Sequence, residues 1–130
     1  MGYGMAANIR KKIPSTSTLY INDVYKPSCE KFLAEFGSYG PIEIMKSARE
    51  VAELASTIIS IVPAADHVKD VYLNSESGII AAPPNPARLM LECSTIDAKT
   101  ARAVGGELLR AKAGVYVDTP VSVRQFLILL

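Results

Sequence analysis

Tryptophan is absent from the 130 residues, histidine occurs once and cysteine twice. Cys29 and Cys93 stand far apart and outside any Cys-x-x-Cys pair, and His67 is the single imidazole, so neither a zinc site nor a disulfide framework is expected and a reducing compartment fits. An excess of charge is missing too: a net +1 provides no long-range field to gather nucleic acid or an anionic membrane surface. The apolar stretch at 126–130 is far too short to span a bilayer. The start of the chain shows no apolar segment behind a charged one, and Ala6 stands where a myristoylation signal requires Ser or Thr, so a soluble, non-secreted protein is expected. The only concentrated basic run, Arg10, Lys11 and Lys12, reads as the solvated last turn of a helix, where cations oppose the helix dipole.

What is present is the composition of one globular domain, 49% hydrophobic and 21% charged with a mean hydropathy of +0.20. Short apolar, partly β-branched runs alternate with longer segments of helical spacing, which is the signature of βαβ units around a mainly parallel sheet. Strands are predicted at 19–22, 42–45 (an edge), 57–62, 89–93 and 115–117. A first helix over 5–13 would turn Met5, Ile9 and Ile13 to one side. The next starts at Pro27, buries Cys29, Phe32, Leu33 and Phe36, and ends at Gly37. Ser47 with Glu50 forms a capping-box pattern for a helix through Ala55 that buries Val51, Leu54 and Ala55. Asp66 is placed to cap a helix carrying Val68, Val71 and Tyr72, and a final helix turns Ala101, Val104, Leu108 and Ala111 inward before Gly114. Residues 74–78 and 83–86 are expected loops.

The glycines at the start carry the first chemical signal. Gly2 and Gly4 lead into a helix, and Asp23 ends the next strand about twenty residues later, the tail of a dinucleotide fingerprint. In that fingerprint glycine lets the backbone approach a pyrophosphate at a helix N-terminus, and the acid accepts from the adenosine ribose hydroxyls. The same residues also suit an ordinary turn and a strand-end cap.

Met-Gly-x-x-Met-Ala-x-Asn at 1–8, Asp-Val-Tyr at 23–25, Glu-Val-Ala-Glu at 50–53, Ile-Val-Pro at 61–63, His-Val-x-x-Val-Tyr at 67–72, Cys-Ser-Thr-Ile-Asp at 93–97 and Asp-Thr-Pro-Val-Ser at 118–122 follow one another in order. In that order they resemble the β-hydroxyacid dehydrogenases over 1–122. The resemblance implies NAD(P)-dependent oxidation of a small 3-hydroxy acid by hydride transfer, with the dinucleotide on a Rossmann domain and a separate helical domain completing the site. It implies that Gly2 sits under the pyrophosphate, that Asp23 accepts from the ribose hydroxyls and favours NAD over NADP, and that Val62, Pro63 and His67 face the cofactor. It also implies Thr95 beside the nicotinamide ribose and Ser122 at the substrate carboxylate. Ordinary roles stand beside these: a strand end at Val62 and Pro63, an exposed first-turn His67, helix caps at Ser94, Thr95 or Asp97. The family pattern continues Gly-Gly after Ser122, where this chain has Val123 and Arg124, and a β-branched residue there puts substrate binding at Ser122 in doubt.

No residue matches the family's catalytic lysine, and no lysine follows Lys112. The expected fold is therefore α/β, an incomplete Rossmann-type doubly wound sheet lacking its first, central strand, with residues 1–122 as a partial NAD(P)-binding domain and 123–130 as a divergent apolar tail. Leaving that position open would unpair both flanking strands and leave the isolated chain marginal or aggregation-prone. A reversed path of 126–130 into the slot is one rescue. Expected partners are a dinucleotide and, in a complete enzyme only, a small hydroxy acid; self-association and a cytoplasmic or mitochondrial-matrix location stay open. The competing expectations are an incompletely represented dehydrogenase, a non-catalytic copy that binds nucleotide weakly at most, and a different Rossmann protein such as a methyltransferase, for which the Ser-Thr-Ile-Asp and Pro-Val-Ser segments do not speak.

Overall fold

The computed structural model describes residues 2–121. The chain runs α1 (Gly2–Lys12), β1 (Leu19–Ile21), α2 (Lys26–Phe36), β2 (Ile42–Ile44), α3 (Ala48–Leu54), β3 (Thr57–Ser60), α4 (Ala65–Leu73), β4 (Leu89–Glu92), α5 (Ala98–Arg110) and β5 (Val115–Asp118). Single 3₁₀ turns follow α2 and precede residue 82. All strand pairs are parallel, and they form two separate sheets, β1–β2 and β3–β4–β5. The order β2–β1 and β3–β4–β5 is what the 3-2-1-4-5-6 order of a Rossmann sheet becomes when, among the described residues, its first position has no strand. The α/β, mainly parallel and incomplete character expected from the sequence is observed.

In β3 and β4 burial alternates, so that Ile58, Ser60, Met90 and Glu92 share one face, over which α4 lays Val68 and Tyr72 and α5 lays Val104 and Leu108. A continuous core results, closed by Ala52 of α3 and by Ile79 and Ala82. Among the described residues the opposite face is less covered: Ile59 is 42% exposed, Val115 53% and Val117 36%. The β1–β2 half is held differently. Ala7, Phe32 and Phe36 form its buried centre, with Tyr3 packed edge-on against both phenylalanines and Leu19, Ile21 and Ile42 beside them.

Several local expectations are corrected. Helix α1 begins at Gly2 rather than Met5 and turns Ala7 and Arg10 inward, not the Met5, Ile9 and Ile13 stripe, because its partner is the aromatic cluster of α2. Arg10 is fully buried and not solvated; its guanidinium donates to the carbonyls of Pro14, Ser17 and Pro41 at 2.6–2.9 Å, stitching the α1–β1 loop to the start of β2. Three backbone acceptors offset the desolvation of the charge, which spacing alone could not reveal. Gly40 makes this possible: its φ is +154° and a Cβ there would lie 2.6 Å from an Arg10 guanidinium nitrogen.

Leu33 and Leu54, expected inside, are 40% and 58% exposed, because α2 turns Cys29, Phe32 and Phe36 inward and α3 turns Ala52 inward. The Ser47 cap is as expected, its Oγ accepting from the Glu50 amide at 3.2 Å, but the returning Glu50 carboxylate takes the Lys46 amide. Asp66 does not cap α4; the N-cap is Ala64, and Asp66 lies inside the first turn. Asp97 caps α5, accepting from the Thr100 amide and hydroxyl. Among the described residues, both cysteines are free and buried, and no helix is long and apolar enough to cross a membrane.

Candidate dinucleotide site at the carboxyl ends of the strands

Parallel strands put every strand-to-helix turn of a sheet at one edge, so the turns after β3 and β4 are neighbours. The last rung between them is the Cys93 amide on the Ser60 carbonyl, at 2.8 Å. Beyond it the strands part, and the Val62 amide donates to Ser94 Oγ at 2.7 Å. The N-terminus of α1 reaches the same place: a Cβ on Gly2 would stand 2.9 Å from Ile61 Cγ2, so only glycine allows this approach without a shift of Ile61. The first-turn amides of α1 have no intrahelical acceptors, which suits them to a phosphate.

Gly2, Val62 and the Ser94–Thr95 turn are therefore brought together. Pro63 follows in the exposed turn, His67 is exposed in the first turn of α4, and Thr95 is exposed one residue beyond Ser94. Asp23 lies at the carboxyl end of β1 on the separate sheet, exposed, with Oδ1 accepting from the Tyr25 amide at 2.9 Å. That is the turn-capping role weighed above, and it uses one carboxylate oxygen. Ser122 and the 123–130 tail lie outside the described residues, so neither the substrate contact nor the strand-slot rescue is placed.

Sequence reasoning missed what lies directly beneath the edge. Glu92 is fully buried at the end of β4, with no cationic partner among the described residues. Its Oε1 accepts from the Ser94 amide at 2.7 Å, and its Oε2 accepts from the Ser60 hydroxyl. With the Ser60 proton committed to Glu92, the Tyr72 hydroxyl donates to Ser60 Oγ, at 2.5 Å. Burial pushes the Tyr72 phenol well above its ordinary value, the hydrogen bond shared with Ser60 opposes that rise, and the Glu92 carboxylate adds to it. Tyr116 packs edge-on against Tyr72 with ring centres 5.3 Å apart, its hydroxyl buried without a partner among the described residues; burial first, then the Glu92 and Asp118 charges, push it up to about 12. The signal was present in the sequence as a glutamate inside a run read as a buried strand.

These residues fit a dinucleotide: backbone amides and a glycine at a helix start, an outlying carboxylate, and small hydroxyl residues at two strand ends. No group of three or more His, Cys, Asp or Glu residues able to hold a metal ion occurs among the described residues. The family model described as the NAD binding domain of 6-phosphogluconate dehydrogenase matches residues 1–124. The chain belongs to the β-hydroxyacid dehydrogenase family.

A Dictyostelium discoideum relative, named a probable mitochondrial 3-hydroxyisobutyrate dehydrogenase, is 36% identical over 122 residues, which are 94% of this chain and 35% of the relative. The solved Mycobacterium tuberculosis 3-hydroxyisobutyrate dehydrogenase with L-serine superposes with a TM-score of 0.71 at 24% identity, over 94% of this chain and 37% of that one. A structure described as Psf3 in complex with NADP+ and 2-OPP gives 0.73 at 17% identity, over 92% and 39%. These two likenesses concern the fold. This β-hydroxyacid dehydrogenase family member spans about a third of the length of the curated relatives it matches.

Proposed function

We propose that the chain binds a nicotinamide adenine dinucleotide as the cofactor-holding part of a dehydrogenase acting on a small 3-hydroxy acid such as 3-hydroxyisobutyrate. The observation that carries this reading is the approach of the α1 N-terminus, through Gly2, to the chain leaving β3 at Ile61, which sets helix amides beside the turn holding Val62 and Pro63. Gly2 and the first amides of α1 would take the pyrophosphate, and Asp23 the adenosine ribose. Val62, Pro63, His67 and Thr95 would line the path toward the nicotinamide, which when bound accepts a hydride. None of residues 2–121 is assigned the accompanying proton transfer, and Ser122 is the proposed contact to the substrate carboxylate.

Asp23 makes the preference NAD over NADP, since its carboxylate would face a 2′-phosphate. Calorimetric titration tests both steps. NAD should bind more tightly than NADP, and Asp23→Ser should narrow or reverse that order; equal affinities in the unaltered chain, or an order untouched by the substitution, would refute the assignment of Asp23. The facing edges of β1 and β3, unpaired with each other, favour a second reading in which binding is weak and occurs without turnover. Reduction of NAD by 3-hydroxyisobutyrate or L-serine in the presence of this chain would decide against that second reading.

A further inference from the structure

We infer that Glu92 is the positioning residue of the dinucleotide edge: its buried carboxyl fixes the turn after β4 and, through Ser94, the turn after β3, without touching the ligand. The identity of the ligand rests on the dinucleotide reading above, whereas the geometry stands on hydrogen bonds alone. Glu92 Oε1 holds the Ser94 amide, and Ser94 Oγ holds the Val62 amide, each at 2.7 Å. The other oxygen, Oε2, accepts from Ser60, to which Tyr72 donates, so α4, the helix bearing His67, is tied to the same carboxyl. Val62, Thr95 and His67 thus sit on three segments that meet at one side chain.

Position matters as much as connectivity. The Val62 amide lies beyond the last rung of the β3–β4 ladder, where no strand carbonyl takes it, and the Ser94 hydroxyl replaces that acceptor. A fully buried carboxyl without a cation is a costly way to fill a strand end that an apolar residue could pack. What the carboxyl provides and an apolar side chain would not is two directed acceptors, one for each flanking segment.

The test compares the full chain with Glu92→Ala, Glu92→Gln and Ser94→Ala, by amide hydrogen exchange and by NAD titration. Glu92→Ala and Ser94→Ala should each speed exchange of the Val62 amide by about tenfold or more, leave the Val104 and Leu108 amides of α5 unchanged, and weaken NAD about tenfold. Glu92→Gln keeps an oxygen for the Ser94 amide and should restore both readouts to within about threefold of the unaltered chain. A role confined to general stability would move Val62 and α5 together. That pattern, or Val62 exchange unchanged in both alanine variants, overturns the inference. Should Glu92→Ala fail to fold, Ser94→Ala, which removes one hydroxyl, decides alone. Absence of NAD binding by the unaltered chain would sink the dinucleotide reading, while the exchange pattern would still decide the positioning role.

Discussion

Around β3–β4–β5 the core is mainly aliphatic and continuous, with ten buried side chains among the described residues contributed by three helices, two strands and the segments between them, whereas the β1–β2 half centres on three, two of them phenylalanines. The smaller half compensates with polar chemistry: Arg10 gathers three loop carbonyls, and the Tyr3 hydroxyl donates to Glu35 at 2.6 Å. The difference teaches that one half is stabilised mainly by area removed from water and the other by a few specific contacts, each of which counts for more. It also separates the proposed site, since Val62, His67 and Thr95 stand on the better-packed half and Asp23 on the other.

Five substitutions would break or sharpen this contrast. The largest effect is expected from Val104→Asp, which places an unpaired charge in the aliphatic core; circular dichroism should show the cooperative transition of the chain lost altogether. Phe32→Ala should cost about 3–5 kcal/mol, but locally. Amide protection would then fall in α1, α2, β1 and β2 while β4 retains its own, and equal loss in both halves would show that they are one cooperative unit.

Arg10→Met is expected to cost about 2 kcal/mol in urea unfolding, because three carbonyls lose their donor. Gly40→Ala should act on the same contact, so the double variant should cost less than the two singles combined; strict additivity would deny the link.

The smallest effect belongs to Asp97, whose carboxyl is held below the ordinary Asp range by its hydrogen bonds from Thr100. A lowered folded value means that this group stabilises the fold at pH values above the unfolded carboxyl range and that the contribution fades as pH falls through the folded value. The difference in urea midpoint between the unaltered chain and Asp97→Ala should therefore be steady at neutral pH and shrink below about pH 4. A gap that widens on acidification would contradict the cap.

Much of this was legible beforehand because periodic burial is a local property. The apolar strands expected at 57–62 and 89–93, the spacing of Val68 with Tyr72 and of Ala101, Val104 and Leu108, and the caps at Ser47 and Asp97 all depend on near neighbours. Errors arose wherever a helix's partner decided the outcome. Nothing near Arg10 in the chain announces that Pro41 will offer it a carbonyl, and nothing around Leu54 says that α3 presents Ala52 inward instead. The candidate site shows the same division: Gly2, Asp23, Val62 and Thr95 could be marked by motif, but Ser60 and Glu92, thirty-two positions apart, could not be paired.

By itself the sequence determined the class of fold, the order of its elements and the family, since these follow from short-range periodicity, turn chemistry and ordered motifs. Only the tertiary structure decided that Gly2 meets Ile61, that a guanidinium lies buried among carbonyls, and that one carboxyl ties together the turns after β3 and β4. Those contacts join residues distant along the chain, and their favourable geometry exists only once the sheets and helices have packed.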